Sequence, residues 1–121
     1  MASGELSPEL QHKLQQLQQI YSQLQALISQ KTQIELMVRE IENALNELGN
    51  LGDDAEVYKN LGSIMVKVEK QRLEEELKER KEELEVRVKS LERQEKKLQE
   101  RYKALESQIK SAMGLGTPSG G

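Results

Sequence analysis

Val57-Tyr58-Lys59-Asn60-Leu61-Gly62-Ser63-Ile64-Met65-Val66-Lys67-Val68 is the stretch on which the fold turns. It follows a cluster of turn formers, Gly49, Asn50, Gly52, Asp53 and Asp54, at which the helical spacing of apolar residues stops. The stretch reads as a β-hairpin. With Gly62 and Ser63 as the two loop residues of a type II′ turn, glycine stands at the first central position, where a positive φ is required. Leu61 then faces Ile64, Lys59 faces Val66 and Val57 faces Val68. Five of these six residues are apolar and share one face, and a slip of one residue would scatter them.

Outward from the hairpin run two long tracts with apolar residues at alternating spacings of three and four. The first contains Leu10, Leu14, Leu17, Tyr21, Leu24 and Ile28, then Ile34, Val38, Ile41, Leu45 and Leu48. Ser7 is placed to cap it and Pro8 to open its first turn. In this reading the spacing slips near Lys31, where two threes run together and a local change of supercoiling is expected. The second tract contains Leu73, Leu77, Lys81, Leu84, Val88, Leu91, Glu95, Leu98, Tyr102, Leu105, Ile109 and Ala112. Each tract holds roughly 40 residues, or about 60 Å of helix at 1.5 Å per residue.

Two amphipathic helices of equal length joined by a short insert fold back most simply as an antiparallel coiled coil, each burying the other's stripe. One register accounts for both tracts: Leu45 with Leu77, Ile41 with Lys81, Val38 with Leu84, Ile34 with Val88, Lys31 with Leu91, Leu24 with Leu98, and Leu17 with Leu105. Lys31 and Glu95 fall about one layer apart. An ion pair there would fix register, and the alternative is that both side chains snorkel to solvent. The expected fold is mainly α, a long antiparallel two-helix coiled coil with one β-hairpin between the helices. Its parts are an N-terminal helix over 8–48, the hairpin over 55–69, a C-terminal helix over 71–112 and a flexible tail over 113–121.

Composition agrees. Of 121 residues 36% are hydrophobic and 32% charged, with no Phe and no Trp, too little bulk for a thick globular core. A net charge of -3 with both signs interspersed offers no broad basic face for phosphates, so no nucleic acid is expected as a partner. Nor is a membrane, since no apolar run approaches the roughly 20 residues of a spanning helix. The start of the chain lacks the apolar core of a secretory signal, and a cytoplasmic location is expected. There is no Cys and a single histidine, His12, which has neither a nucleophile partner nor co-ligands. No Gly-rich phosphate loop occurs, and Asp53 and Asp54 lack the spacing of a calcium loop. No enzymatic activity, metal or cofactor is expected.

A lone two-stranded ribbon is marginal in water and has two open edges. Ribbons from several chains, paired edge to edge into a closed sheet, would hide Val57, Leu61, Ile64, Val66 and Val68. These five are the candidate oligomerisation residues, and a stable monomer is not expected.

At these residues the chain resembles the β class of prefoldin subunit, found in archaea. The resemblance rests on Asp53-Asp54-Ala55-Glu56-Val57-Tyr58-Lys59 leading to Val66-Lys67-Val68-Glu69-Lys70, and on Leu84 to Glu95 in the second helix, and spans roughly 8 to 112. The hairpin is its specific part. It implies a hetero-hexamer of two α-class and four β-class subunits, other copies of this chain among them, whose hairpins form a double β-barrel platform for six coiled coils. It also implies ATP-independent capture of unfolded proteins and their delivery to a group II chaperonin. The Gly-rich tail from Gly114 matches no motif of that family.

The antiparallel register brings both termini to the end far from the hairpin. There Leu6, Leu10, Leu14, Ile109, Met113 and Leu115 are the candidate client-binding residues, flanked by Gln11, Gln15, Gln16, Gln18 and Gln19. A splayed end would expose a small apolar patch rimmed by polar groups. Leu14 and Leu17 serve equally well to close the coiled coil, whereas Leu6, Met113 and Leu115 lie beyond the paired seam. A reading from another class is a structural spacer or tether assembled through the hairpins. A spacer would be expected to end in a second docking surface, not in a small apolar cluster.

Overall fold

The computed structural model describes residues 6–114, in the order α1 (Pro8–Gly49), β1 (Val57–Asn60), β2 (Met65–Val68) and α2 (Lys70–Ala112). Helix α1 begins where its first turn can be satisfied. The Leu10 N–H donates to Ser7 Oγ at 3.0 Å, the Gln11 N–H to the Ser7 carbonyl, and Pro8 needs no acceptor. At its other end the Asn50 and Leu51 N–H groups donate to the Glu47 and Leu48 carbonyls, tightening the last turn as the chain leaves. Two residues beyond the end of α2, Gly114 takes a φ of 74° in the left-handed region and its N–H donates to the Ser111 carbonyl, closing off the helix.

The strands pair antiparallel with Val57 opposite Val68, Lys59 opposite Val66 and Asn60 opposite Met65. The Leu61 N–H donates to the Ile64 carbonyl at 2.8 Å, closing a two-residue loop of Gly62 and Ser63. Gly62 has a φ of 98°, and its N–H donates to Asn60 Oδ1. Loop length, register and the glycine requirement are as the sequence predicts.

The chain divides into two compact units, Lys31–Ser90 and the terminal stretches up to Gln30 and from Leu91 onward. In the first, Ile34, Val38, Leu48 and Leu84 are buried, with Ile41, Leu45, Leu77 and Val88 partly so. Lys81 Nζ lies 3.8 Å from Glu42, the neighbour of the Ile41 that the register sets opposite Lys81. In the second, Leu10, Ile20, Leu24, Leu91 and Ile109 are buried. The Tyr21 and Tyr102 rings meet there with centroids 6.5 Å apart at 46°.

The terminal unit corrects the seam of α1. Tyr21 and Ile28, expected in it, are 55% and 36% exposed, while Ile20 is buried and Leu27 partly buried. The seam therefore runs Leu17, Ile20, Leu24, Leu27, Lys31, Ile34, Val38 in unbroken threes and fours. The slip expected near Lys31 is absent. Tyr21 and Ile28 occupy the next position round the helix; from Leu17 onward the seven-residue repeat is unbroken, and the two threes in succession fall instead at Leu14, Leu17 and Ile20.

Candidate assembly and capture surfaces

The hairpin takes its shape from its own register, but its apolar face is only partly covered. Val57 is buried at 8% exposure and Val68 is partly buried, so these two candidate oligomerisation residues are already packed within the subunit. Leu61, Ile64 and Val66 are exposed, as are Tyr58 and Met65 on the opposite face. Neither Tyr58 nor Met65 was among the candidates. Alternation along the strand puts them on a second face, and in an isolated ribbon nothing in the sequence distinguishes a covered face from a bare one.

The base of the hairpin is held by charge. Lys59 Nζ is 3.3 Å from Glu76 on α2, and Lys67 Nζ is 3.5 Å from Glu56. Lys70, at the start of α2, donates to the Leu51 carbonyl at 2.8 Å and lies 3.8 Å from both Asp53 and Glu74. With only 14% of its side chain accessible, Lys70 ties the loop after α1 to the first turn of α2. This fixes where the ribbon leaves the helices. Between the ribbon and α2 runs a groove of 440 Å³ lined by Leu61, Val66, Val68, Leu73 and Arg72, among others.

The candidate capture residues separate in the same way. Leu10 and Ile109 are buried in the terminal unit, Leu14 is partly buried, and Leu6 and Met113 are exposed. Leu115 lies outside the described residues, as does the tail beyond Gly114. A second groove, of 290 Å³, opens in this unit with Ile20 and Leu105 among its lining and Gln16, Gln19, Gln23 and Gln108 around them.

Two helices flanking a single hairpin, capped and registered in this way, match the prefoldin subunit family over residues 11–115. The chain belongs to the prefoldin subunit family. Prefoldin subunit beta of Methanothrix thermoacetophila is 45% identical over 78 residues, 64% of this chain and 65% of that protein. The aligned stretch thus spans just under two thirds of that relative. Prefoldin subunit beta of Methanosarcina barkeri is 46% identical over 78 residues, covering 64% of this chain and 67% of its own length. The crystal structure of the prefoldin beta subunit from Thermococcus strain KS-1 superimposes with a TM-score of 0.84 at 46% identity. That match covers 90% of this chain and 96% of the other. Prefoldin membership thus accounts for helices and hairpin together, which coiled-coil periodicity alone could not do. No helix among the described residues is long and apolar enough to cross a membrane, and no group of three or more His, Asp or Glu among them could hold a metal ion.

Proposed function

We propose that the chain is one subunit of an ATP-independent holdase chaperone. It assembles through its hairpin with α-class subunits and further copies of itself, as a hexamer around a barrel hub. It captures unfolded polypeptide at the coiled-coil tips and passes it to a group II chaperonin. The observation that carries the reading is the bare apolar hairpin of a prefoldin-family chain: Leu61, Ile64, Met65 and Val66 are exposed on a two-stranded ribbon with both edges open. Such a ribbon is marginal in water unless partners close its edges.

For capture, Leu6 and Met113 are exposed apolar side chains near the chain ends, whereas Leu10 and Ile109 are buried. Several such tips on one hub would hold a single unfolded chain at several points, and weak contacts would add through effective concentration. Hydrolysis of nucleotide is not needed for this, because the driving force is burial of apolar surface already exposed on the client.

The test is to mix the chain with an α-class subunit, dilute a chemically denatured protein into the assembly without nucleotide, and follow light scattering. Suppressed aggregation is expected at near-stoichiometric assembly. Scattering that rises as fast as in buffer would end the chaperone reading.

A further inference from the structure

We infer that the 290 Å³ groove of the terminal unit is a binding site for the main chain of an extended, uncharged polypeptide segment, read through glutamine carboxamides rather than through apolar side chains alone. The inference rests on the holdase reading and names what a client presents to the subunit. Ile20 is buried and Leu105 partly buried at this groove, while the residues around them include the exposed Gln16, Gln23 and Gln108. Arg101 is the one charged residue of the lining.

A glutamine carboxamide carries one carbonyl acceptor and two N–H donors, the same pair of functions that an unfolded main chain carries at each residue. Glutamines on both helices therefore match a strand whatever its side chains are. Removing them from water costs far less than removing a charge. The surrounding helix supports the same reading. From Leu14 to Gln30 helix α1 carries no charged residue, although a third of the whole chain is charged. A solvated coiled-coil flank has no need of that restriction. An uncharged strand lying along it would meet no charge on α1 and one guanidinium, Arg101, from α2, which favours main-chain carbonyls over basic side chains.

The experiment uses the full chain in its assembled form and two labelled probes, a short peptide of Ala, Val and Ser and the same peptide with its backbone nitrogens methylated. Methylation keeps the side chains and removes the main-chain donors. Fluorescence anisotropy should show the methylated peptide binding on the order of tenfold more weakly, the loss expected from a few hydrogen bonds. The variant Q16A/Q23A/Q108A should bind the unmodified peptide as weakly as the parent binds the methylated one, with no further loss on methylation. Alanine keeps helix propensity, so circular dichroism should be unchanged. Q15A/Q18A/Q25A, which alters glutamines outside the groove, should bind like the parent.

Equal binding of the two peptides by the parent assembly overturns the inference without recourse to any variant. So does an equal loss in the two triple variants. If the assembly suppresses aggregation yet methylation has no effect, only the groove assignment falls. If it neither binds peptide nor suppresses aggregation, the holdase reading falls with it.

Discussion

In residues 31–90 the seam and hairpin are flanked by charge: Lys81 reaches Glu42, Lys59 reaches Glu76, and Lys70 gathers Asp53, Glu74 and the Leu51 carbonyl. In the terminal unit the same heptad seam continues, but α1 carries glutamine, serine and apolar residues without a charge from Leu14 to Gln30. The buried stripe is alike in both and makes the helix pair in both. The flanks differ. Charged flanks are costly to desolvate and stay wet, so in unit 31–90 the exposed apolar residues Leu61, Ile64, Met65 and Val66 of the hairpin stand out, with Leu36, Met37, Leu51 and Val86 exposed elsewhere. An uncharged flank is cheaper to cover, and in the terminal unit only the α1 side has one, since α2 there carries charges from Glu92 to Lys110.

The harshest way to break this comparison is to put charge on the hairpin. Ile64→Lys with Val66→Lys would bury two ammonium groups in any closed sheet of hairpins, at a cost on the order of several kcal/mol. Sedimentation should then show small species with helicity retained. Full assembly size in this variant would remove the hairpin hub from the account.

Next in size is the seam itself. Ile20→Ala should cost about 2–5 kcal/mol of thermal stability, as for other buried aliphatic truncations. Tyr21→Ser, one residue on, removes a mostly exposed ring and its contact with Tyr102, and should cost no more than about 1.5 kcal/mol. Equal losses would mean that the seam does not discriminate between these neighbours. Leu84→Ala, at 3% exposure, gives the matching measurement for the charged unit and should resemble Ile20→Ala.

Lys70→Met comes third. It keeps the aliphatic stem and removes a charged donor, leaving the Leu51 carbonyl to find water. A loss of about 1–2 kcal/mol is expected in denaturant unfolding, the range for hydrogen bonds to charged groups less what solvent restores. Asp53→Asn should lose less, because its side chain is fully exposed and its distance to Lys70 is long.

Much of this architecture was legible in the sequence, for reasons particular to each element. The hairpin register followed from five apolar residues that only one pairing gathers, and from a glycine where φ must be positive. The cap at Ser7 and the seam of α2 followed from residue type and spacing, because on α2 most apolar residues have a charged neighbour and few alternatives adjoin them. On α1 the choice was real. Leu10, Leu14 and Leu17, spaced by four and then three, continue by four to Tyr21 and on to Leu24 and Ile28, although Ile20 and Leu27, one residue earlier, are apolar too. Counting threes and fours backward from Ile34 and Lys31 would have reached Leu27, Leu24 and Ile20 without a slip. For the candidate sites, residue type did not give the exposure. Val57, Leu10 and Ile109 are apolar, yet packing within the subunit has already covered them. Only the three-dimensional arrangement separates these from Leu61, Ile64, Leu6 and Met113.

The smallest effect on stability is expected at the capture residues, and that smallness is what makes the measurement sharp. Leu6 and Met113 are exposed, at 36% and 47%, and lie outside the buried stripe, so Leu6→Ser with Met113→Ser should shift unfolding by no more than about 0.5 kcal/mol. Helicity and assembly size should be those of the parent, because the hairpin and seam are untouched. If client chains are held where proposed, protection of a denatured protein should nevertheless fall severalfold, since a loss at each tip is repeated at every tip that engages the same client. Leu10→Ser and Ile109→Ser would show the opposite balance, with stability lost first because both side chains are buried. A Leu6 and Met113 variant that protects as well as the parent would move capture off the exposed ends and onto the uncharged flank of α1, where the glutamine groove variants would then carry the whole effect.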